Sequence, residues 1–178
     1  MCSSDLAGFY MVSHGFSTAA LLLIAGFLIS RRGSARIEDF GGVQKVAPVL
    51  AGLFLLAGLS ALALPGMSSF VSEFMVLQGV FQRHQTAAII ATLGIVLAAV
   101  YVLHMYRRTM TGPTPASTAG VRDLSGREVA AVAPLIALIL TLGFFPQPVL
   151  NLVNSTSSWV MEHVGPSDPQ ATVTKAGK

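Results

Sequence analysis

From Ala47 to Gln82 the chain carries a single charged side chain, Glu73, in a run otherwise built of apolar and small residues. As one straight helix this run would be about 54 Å long at 1.5 Å per residue, against a bilayer hydrocarbon core of about 30 Å. It must break, tilt strongly, or both. Pro65 and Gly66 mark the break, because proline removes a backbone donor and clashes with the preceding turn, while glycine accepts non-helical backbone. Backbone that leaves the helix at membrane depth persists only where protein or water satisfies its polar groups, so a buried polar axis is expected here. Ser68 and Ser69 are placed to cap the second half-helix, with Glu73 in its first turns and near the positive end of its dipole.

The rest of the composition agrees with a bilayer as solvent. Hydrophobic residues make up 53% of the chain and charged residues 11%, against about 25% charged in ordinary globular proteins. The mean hydropathy is +0.68. The fold class expected is an all-α membrane protein. A net charge of +3 reflects the side of the membrane that the loops face, and nucleic-acid binding is not expected. Cys2 is the one cysteine, which excludes an intrachain disulfide and a cysteine-only metal site. The four histidines are too dispersed for a metal site by spacing.

Four transmembrane segments are expected. The first covers about Ala7 to Ser30 and stops at Arg31 and Arg32; the second is the broken run; the third covers about Thr86 to Tyr106 and stops at Arg107 and Arg108. The turn Arg83-His84-Gln85 makes the second and third antiparallel neighbours. The fourth, about Val129 to Phe145, ends at Pro146 and Pro148. Beyond it Val149, Val153, Val160 and Val164 recur at helical spacing with Trp159 near the end, which predicts a short helix at the membrane surface. Residues 7–163 form the transmembrane domain, 164–178 are expected to be a disordered tail, and 1–6 an extraneous leader. Arg31, Arg32, Arg36, Lys45, Arg107, Arg108, Arg122 and Arg127 fall in two connections on one side, so both ends of the chain are expected to be extracytoplasmic.

An acid at mid-bilayer costs about 3 kcal/mol or more and marks an ion or proton path facing a bundle interior or a wet cavity. Glu73 is therefore the leading site residue. His14 is the second, on a polar stretch with Ser13, Ser17 and Thr18 in the first segment. It either relays protons or packs against a neighbouring helix with its nitrogens satisfied, and the residues leave both readings open. His104, one turn before Arg107, is an interfacial group that is solvated or assists proton entry.

Three stretches carry a resemblance: Ser13 to Leu21, Leu64-Pro65-Gly66-Met67-Ser68-Ser69-Phe70-Val71-Ser72-Glu73-Phe74, and Tyr101 to Gly112. They resemble the antiporter-like membrane subunits of proton-pumping NADH:quinone oxidoreductase, respiratory complex I, and among these the M-type subunit, or chain 4. The match runs in order over about Ala7 to Phe145 and implies the last four helices of a fourteen-helix subunit. It implies Glu73 as the exit-side proton carrier and His14 as a member of the hydrated axis. Glutamate at position 73 points away from the L-type, N-type and cation/proton antiporter subunits, which usually have lysine there. The resemblance also implies L-type and N-type neighbours, a bacterial inner membrane, redox centres in other subunits, and no cofactor in this chain. Alternative readings are a subunit of a multisubunit monovalent cation/proton antiporter and a non-transporting membrane scaffold. The chain is expected to be a C-terminal fragment, since the entry-side glutamate and the two central lysines of the family have no counterpart in it.

Overall fold

The computed structural model describes residues 3–153, and every regular element in that range is helical. The order is α1 (Ser3–Arg32), a 3-10 turn (Ile37–Asp39), α2 (Val43–Val46), α3 (Pro48–Ala61), α4 (Ser68–Arg83), α5 (Gln85–Met110) and α6 (Gly126–Phe144). Residues 147–153 are again helical. That stretch holds Val149 and Val153 of the expected surface helix; Val160, Val164, Trp159 and the tail lie outside the described residues.

Among the described residues three helices are long and apolar enough to cross a membrane: Ala7–Arg32 within α1, Gln85–Met110 and Gly126–Phe144. The second expected segment is divided into α3, with 14 residues, and α4, with 16. At 1.5 Å per residue these are about 21 and 24 Å long, each short of the hydrocarbon core. The break falls at residues 62–67, around Pro65 and Gly66 as expected. Gly66 sits at φ 93°, where a side chain would be strained, and Ala63 at φ 50° shares the left-handed region. The turn between the second and third expected segments is tighter than the sequence suggested, with His84 alone separating α4 from α5.

α1 is the central strut, packing against α3, α4 and α6. Its Ala20, Ile24 and Leu28 meet Leu50, Phe54 and Ala57 of α3 and Val132, Ile136 and Ile139 of α6, all buried. Within each helix these residues recur three or four apart and so share one face. At the other end Phe9 of α1 packs with Leu142 of α6 and with Leu150, which makes α1 and α6 antiparallel.

Polar bonds lock the basic end. Pro48 opens α3, and Ala47 at its N-cap offers no side-chain acceptor. Asp123, from the loop before α6, supplies one instead: its carboxylate accepts from the backbone N–H groups of Val49 and Leu50, both at 2.9 Å, and from Leu124 at 2.8 Å. Arg31 donates to Glu128 at 2.5 Å, to the Asp123 carbonyl at 3.4 Å and to the Phe27 carbonyl at 3.0 Å. Thus Arg31 fastens α1 to α6 as well as ending a span. Glu128 also closes a capping box with Ser125, which starts α6 at Gly126, three residues earlier than expected.

Desolvation opposes charge on Asp123, but the three N–H groups and the nearby Arg31 outweigh it and hold the carboxyl below its ordinary value. A lowered folded-state value means that the contribution to stability is fully present above the ordinary carboxyl pKa of about 3.9 and is lost as pH falls through the lowered one. Asp123→Ala should cost about 1 to 2 kcal/mol at neutral pH, as for loss of a helix cap. Thermal unfolding of the full chain in detergent is expected to show that gap at pH 7 and its closing in acid.

Candidate proton-relay site

A cluster of buried hydroxyl groups holds the break. Ser17 of α1 is buried and reaches both half-helices: its Oγ lies 2.6 Å from Ser60 Oγ on α3 and 3.2 Å from Ser69 Oγ on α4. Its own proton goes to the Ser13 carbonyl, 3.0 Å away, so Ser17 accepts from both partners. Ser72 donates to the Ser69 carbonyl at 3.0 Å. Ser13 and Ser68 are also fully buried, and neither hydroxyl has a partner among the described residues. Buried hydroxyls in that condition are ordinarily completed by water. On the far side Gly143 of α6 lies against the Gly66 carbonyl, where any Cβ would collide with backbone.

The expected cap is not made. Met67 is the N-cap of α4 and no side chain bonds there, because Ser68 and Ser69 already lie inside the helix and Ser69 points at Ser17. Glu73 is the sixth residue of α4, beyond the first turn in which the helix dipole acts, so its setting is made by side chains.

One side chain dominates. The Tyr10 hydroxyl donates to Glu73 Oε1 at 3.0 Å. The Tyr10 ring stacks on His14 with centroids 5.7 Å apart, and His14 Nε2 lies 3.3 Å from Thr18 Oγ1. Tyr10, His14 and Thr18 stand four residues apart on α1, so one helix face carries a polar line from Glu73 down to Thr18. Glu73, Tyr10 and His14 border a cavity of about 410 Å³ between α1, α4 and α5, closed on the α5 side by Ala91, Gly94, Ala98 and Tyr101. Small residues on α5 leave room for water at the carboxylate.

The two residues singled out from sequence, Glu73 and His14, therefore meet at one cavity, which Ala61 and Leu62 border where α3 runs into the break at Pro65 and Gly66. His104 does not join them; it is exposed on α5 and does not border the cavity. The polar stretch of α1 divides, with Ser13 and Ser17 turned into the break and His14 turned to the cavity. Tyr10 was missed, although its place one turn before His14 was visible. Removing its hydroxyl should be legible at the carboxyl. In isotope-edited infrared spectra of the reconstituted chain, Tyr10→Phe is expected to shift the Glu73 carboxyl bands, and Thr18→Ala, whose lost hydroxyl bonds His14, to leave them in place.

Residues 1–98 match the family model described as NADH:quinone oxidoreductase/Mrp antiporter, TM. NADH-quinone oxidoreductase subunit M of Mycobacterium tuberculosis (strain CDC 1551 / Oshkosh) is 51% identical over 164 residues, 92% of this chain and 30% of that protein. The subunit M of Rickettsia prowazekii is 41% identical over 145 residues, 81% of this chain and 30% of that protein. The chain thus spans about a third of the length of these curated relatives. Among solved structures, a chain of respiratory complex I from Thermus thermophilus with bound NADH superposes with a TM-score of 0.75 at 28% identity, over 88% of this chain and 34% of that one. A chain of the Mrp complex from Dietzia sp. DQ12-45-1b superposes at 0.76 with 21% identity, over 87% and 37%, a likeness of fold alone. With more than half of its length matched and the broken helix in place, the chain belongs to the NADH:quinone oxidoreductase/Mrp antiporter transmembrane family.

Proposed function

We propose that this chain forms the proton-relay part of an M-type membrane subunit of a proton-translocating NADH:quinone oxidoreductase, with Glu73 as the exit-side carrier. The observation that carries the reading is the Tyr10 to Glu73 hydrogen bond at the edge of a cavity beside a broken helix. An acid that served only to hold helices together would be enclosed and matched by a cation. Glu73 instead has a neutral phenol as partner and an open side where water fits.

The phenol stabilises the carboxylate while Glu73 is charged. When Glu73 takes up a proton, that bond must reorganise, because the carboxyl then carries a donor of its own. His14, stacked on Tyr10, is the adjacent group whose ring can carry a proton, with Thr18 bonded to it. Proton transfer thus couples to movement of one aromatic side chain, and hydration of the cavity decides which protonation state is held.

In this reading α3 and α4 together complete a fourth crossing, with both chain ends extracytoplasmic in a bacterial inner membrane. The basic end, with Arg31, Arg107 and Arg108, faces the cytoplasm. L-type and N-type subunits are the expected neighbours, redox chemistry lies in other subunits, and this chain holds no cofactor. Glu73→Gln in the full-length subunit of an assembled complex is expected to lower coupled proton pumping in vesicles by roughly tenfold or more, the scale of losing an acid–base group. Glu73→Asp should retain part of it. Pumping unchanged by Glu73→Gln contradicts the proposal.

A further inference from the structure

A second cavity, of about 480 Å³, opens at the basic end of α5, bordered by Phe40, Gly41, Arg107, Arg108, Thr111 and Thr114. Its floor is built by close approach of two loops. The Gly42 amide donates to the Thr111 carbonyl at 3.0 Å, and the Thr114 hydroxyl donates to the Gly42 carbonyl at 3.3 Å. Gly42, at φ 60°, permits this, since a side chain there would strike Thr114 and the Gly112 carbonyl.

The chemistry of the rim is one-sided. The Thr111 and Thr114 hydroxyls both donate inward, to the carbonyls of Arg107 and Gly42. The donors left for a guest are the guanidinium groups of Arg107 and Arg108, which meet no carboxylate among the described residues. The acids on the facing turn are engaged elsewhere: Glu38 pairs with Arg36 at 2.9 Å and Asp39 accepts from Ser34. Two adjacent arginines over a cavity of this kind suit a phosphate oxyanion, which their planar forks bind in bidentate fashion.

The helix below the arginines says which phosphate. Leu103, Val100 and Val96 precede Arg107 by four, seven and eleven residues and are exposed at 47%, 62% and 57%, forming one apolar stripe on the outer face of α5. From Arg107 to Val96 the stripe is about 16 Å long, half of a hydrocarbon core and so the depth of one leaflet. A free phosphate uses none of it; a phospholipid uses all of it. We propose that Arg107 and Arg108 form a binding site for the phosphodiester of an anionic phospholipid, whose acyl chain lies along Leu103, Val100 and Val96. The site is independent of the proton relay and lies at the opposite end of α5 from His84.

Native mass spectrometry of the full chain, released from detergent with equimolar phosphatidylglycerol and phosphatidylcholine, tests this. One phosphatidylglycerol is expected to bind in preference, with selectivity of about fivefold per arginine and hence roughly 25-fold for the pair. Arg107→Gln/Arg108→Gln should abolish the preference, and Arg36→Gln, whose arginine is already paired, should keep it. Equal retention of the two lipids by the wild-type chain overturns the proposal even if the double variant fails to fold. So does an unchanged preference in a folded double variant, displacement of the lipid by millimolar inorganic phosphate, or a second copy of the chain occupying the stripe in place of lipid.

Discussion

Ser17 joins three helices through one oxygen, and a divided membrane helix needs such a contact. When a helix stops at membrane depth, carbonyl and amide groups lose their partners in a medium that offers no replacements. Here turn bonds recover part of the loss, from the amides of Ala63, Leu64 and Met67 to the carbonyls of Ser60, Leu59 and Leu64, and Ser60, near the end of α3, and Ser69, at the start of α4, both bond to the same buried hydroxyl on α1. The two half-helices are thereby held against α1, while Gly143 lets α6 press on the Gly66 carbonyl from the other side. Everything that positions Glu73 follows from that arrangement. Its carboxylate is one turn beyond Ser69, on the helix whose start Ser17 fixes.

The basic end solves a different problem. α3 begins without a side-chain cap of its own, and its exposed amides are satisfied by Asp123 from the loop leading into α6. Arg31 then ties α1 to Glu128, so the start of α3, the end of α1 and the start of α6 are fixed by one set of charges. With the far end packed by Phe9, Leu142 and Leu150, the core of α1, α3 and α6 is clamped at both ends. α4 and α5 are less enclosed, and the cavity with its titratable groups lies on that side. A closely packed half supports a half with room for water.

What could be read from sequence was what depends on local residues. Pro65 and Gly66 gave the break, because both act on their own backbone, and the apolar runs gave α1, α5 and α6. The count of crossings was harder, because α3 and α4 are each too short to span. Ser125 and Glu128 form a capping box whose spacing was visible but was not used, so the start of α6 was placed late. Asp123 was illegible as a cap, since the amides it binds are 73 and 74 residues away. The same holds for Tyr10, which meets Glu73 across 63 residues. Glu73 and His14 stood out as costly polar groups in apolar helices, whereas the aromatic residue between them looked like ordinary membrane composition.

In the proposed relay Glu73 is a carboxyl that takes and gives a proton within reach of water, and not a sealed structural acid. Labelling by a lipid-soluble carbodiimide tests this most directly, because the reagent attacks protonated carboxyls from the membrane phase. With the full chain in vesicles and the products mapped by peptide mass spectrometry, Glu73 is expected to be labelled, and progressively less so as pH rises. Asp123 and Glu128, charged and bonded at the basic end, should be spared. A folded chain in which Glu73 stays unlabelled at every pH, or is labelled without regard to pH, would contradict the account.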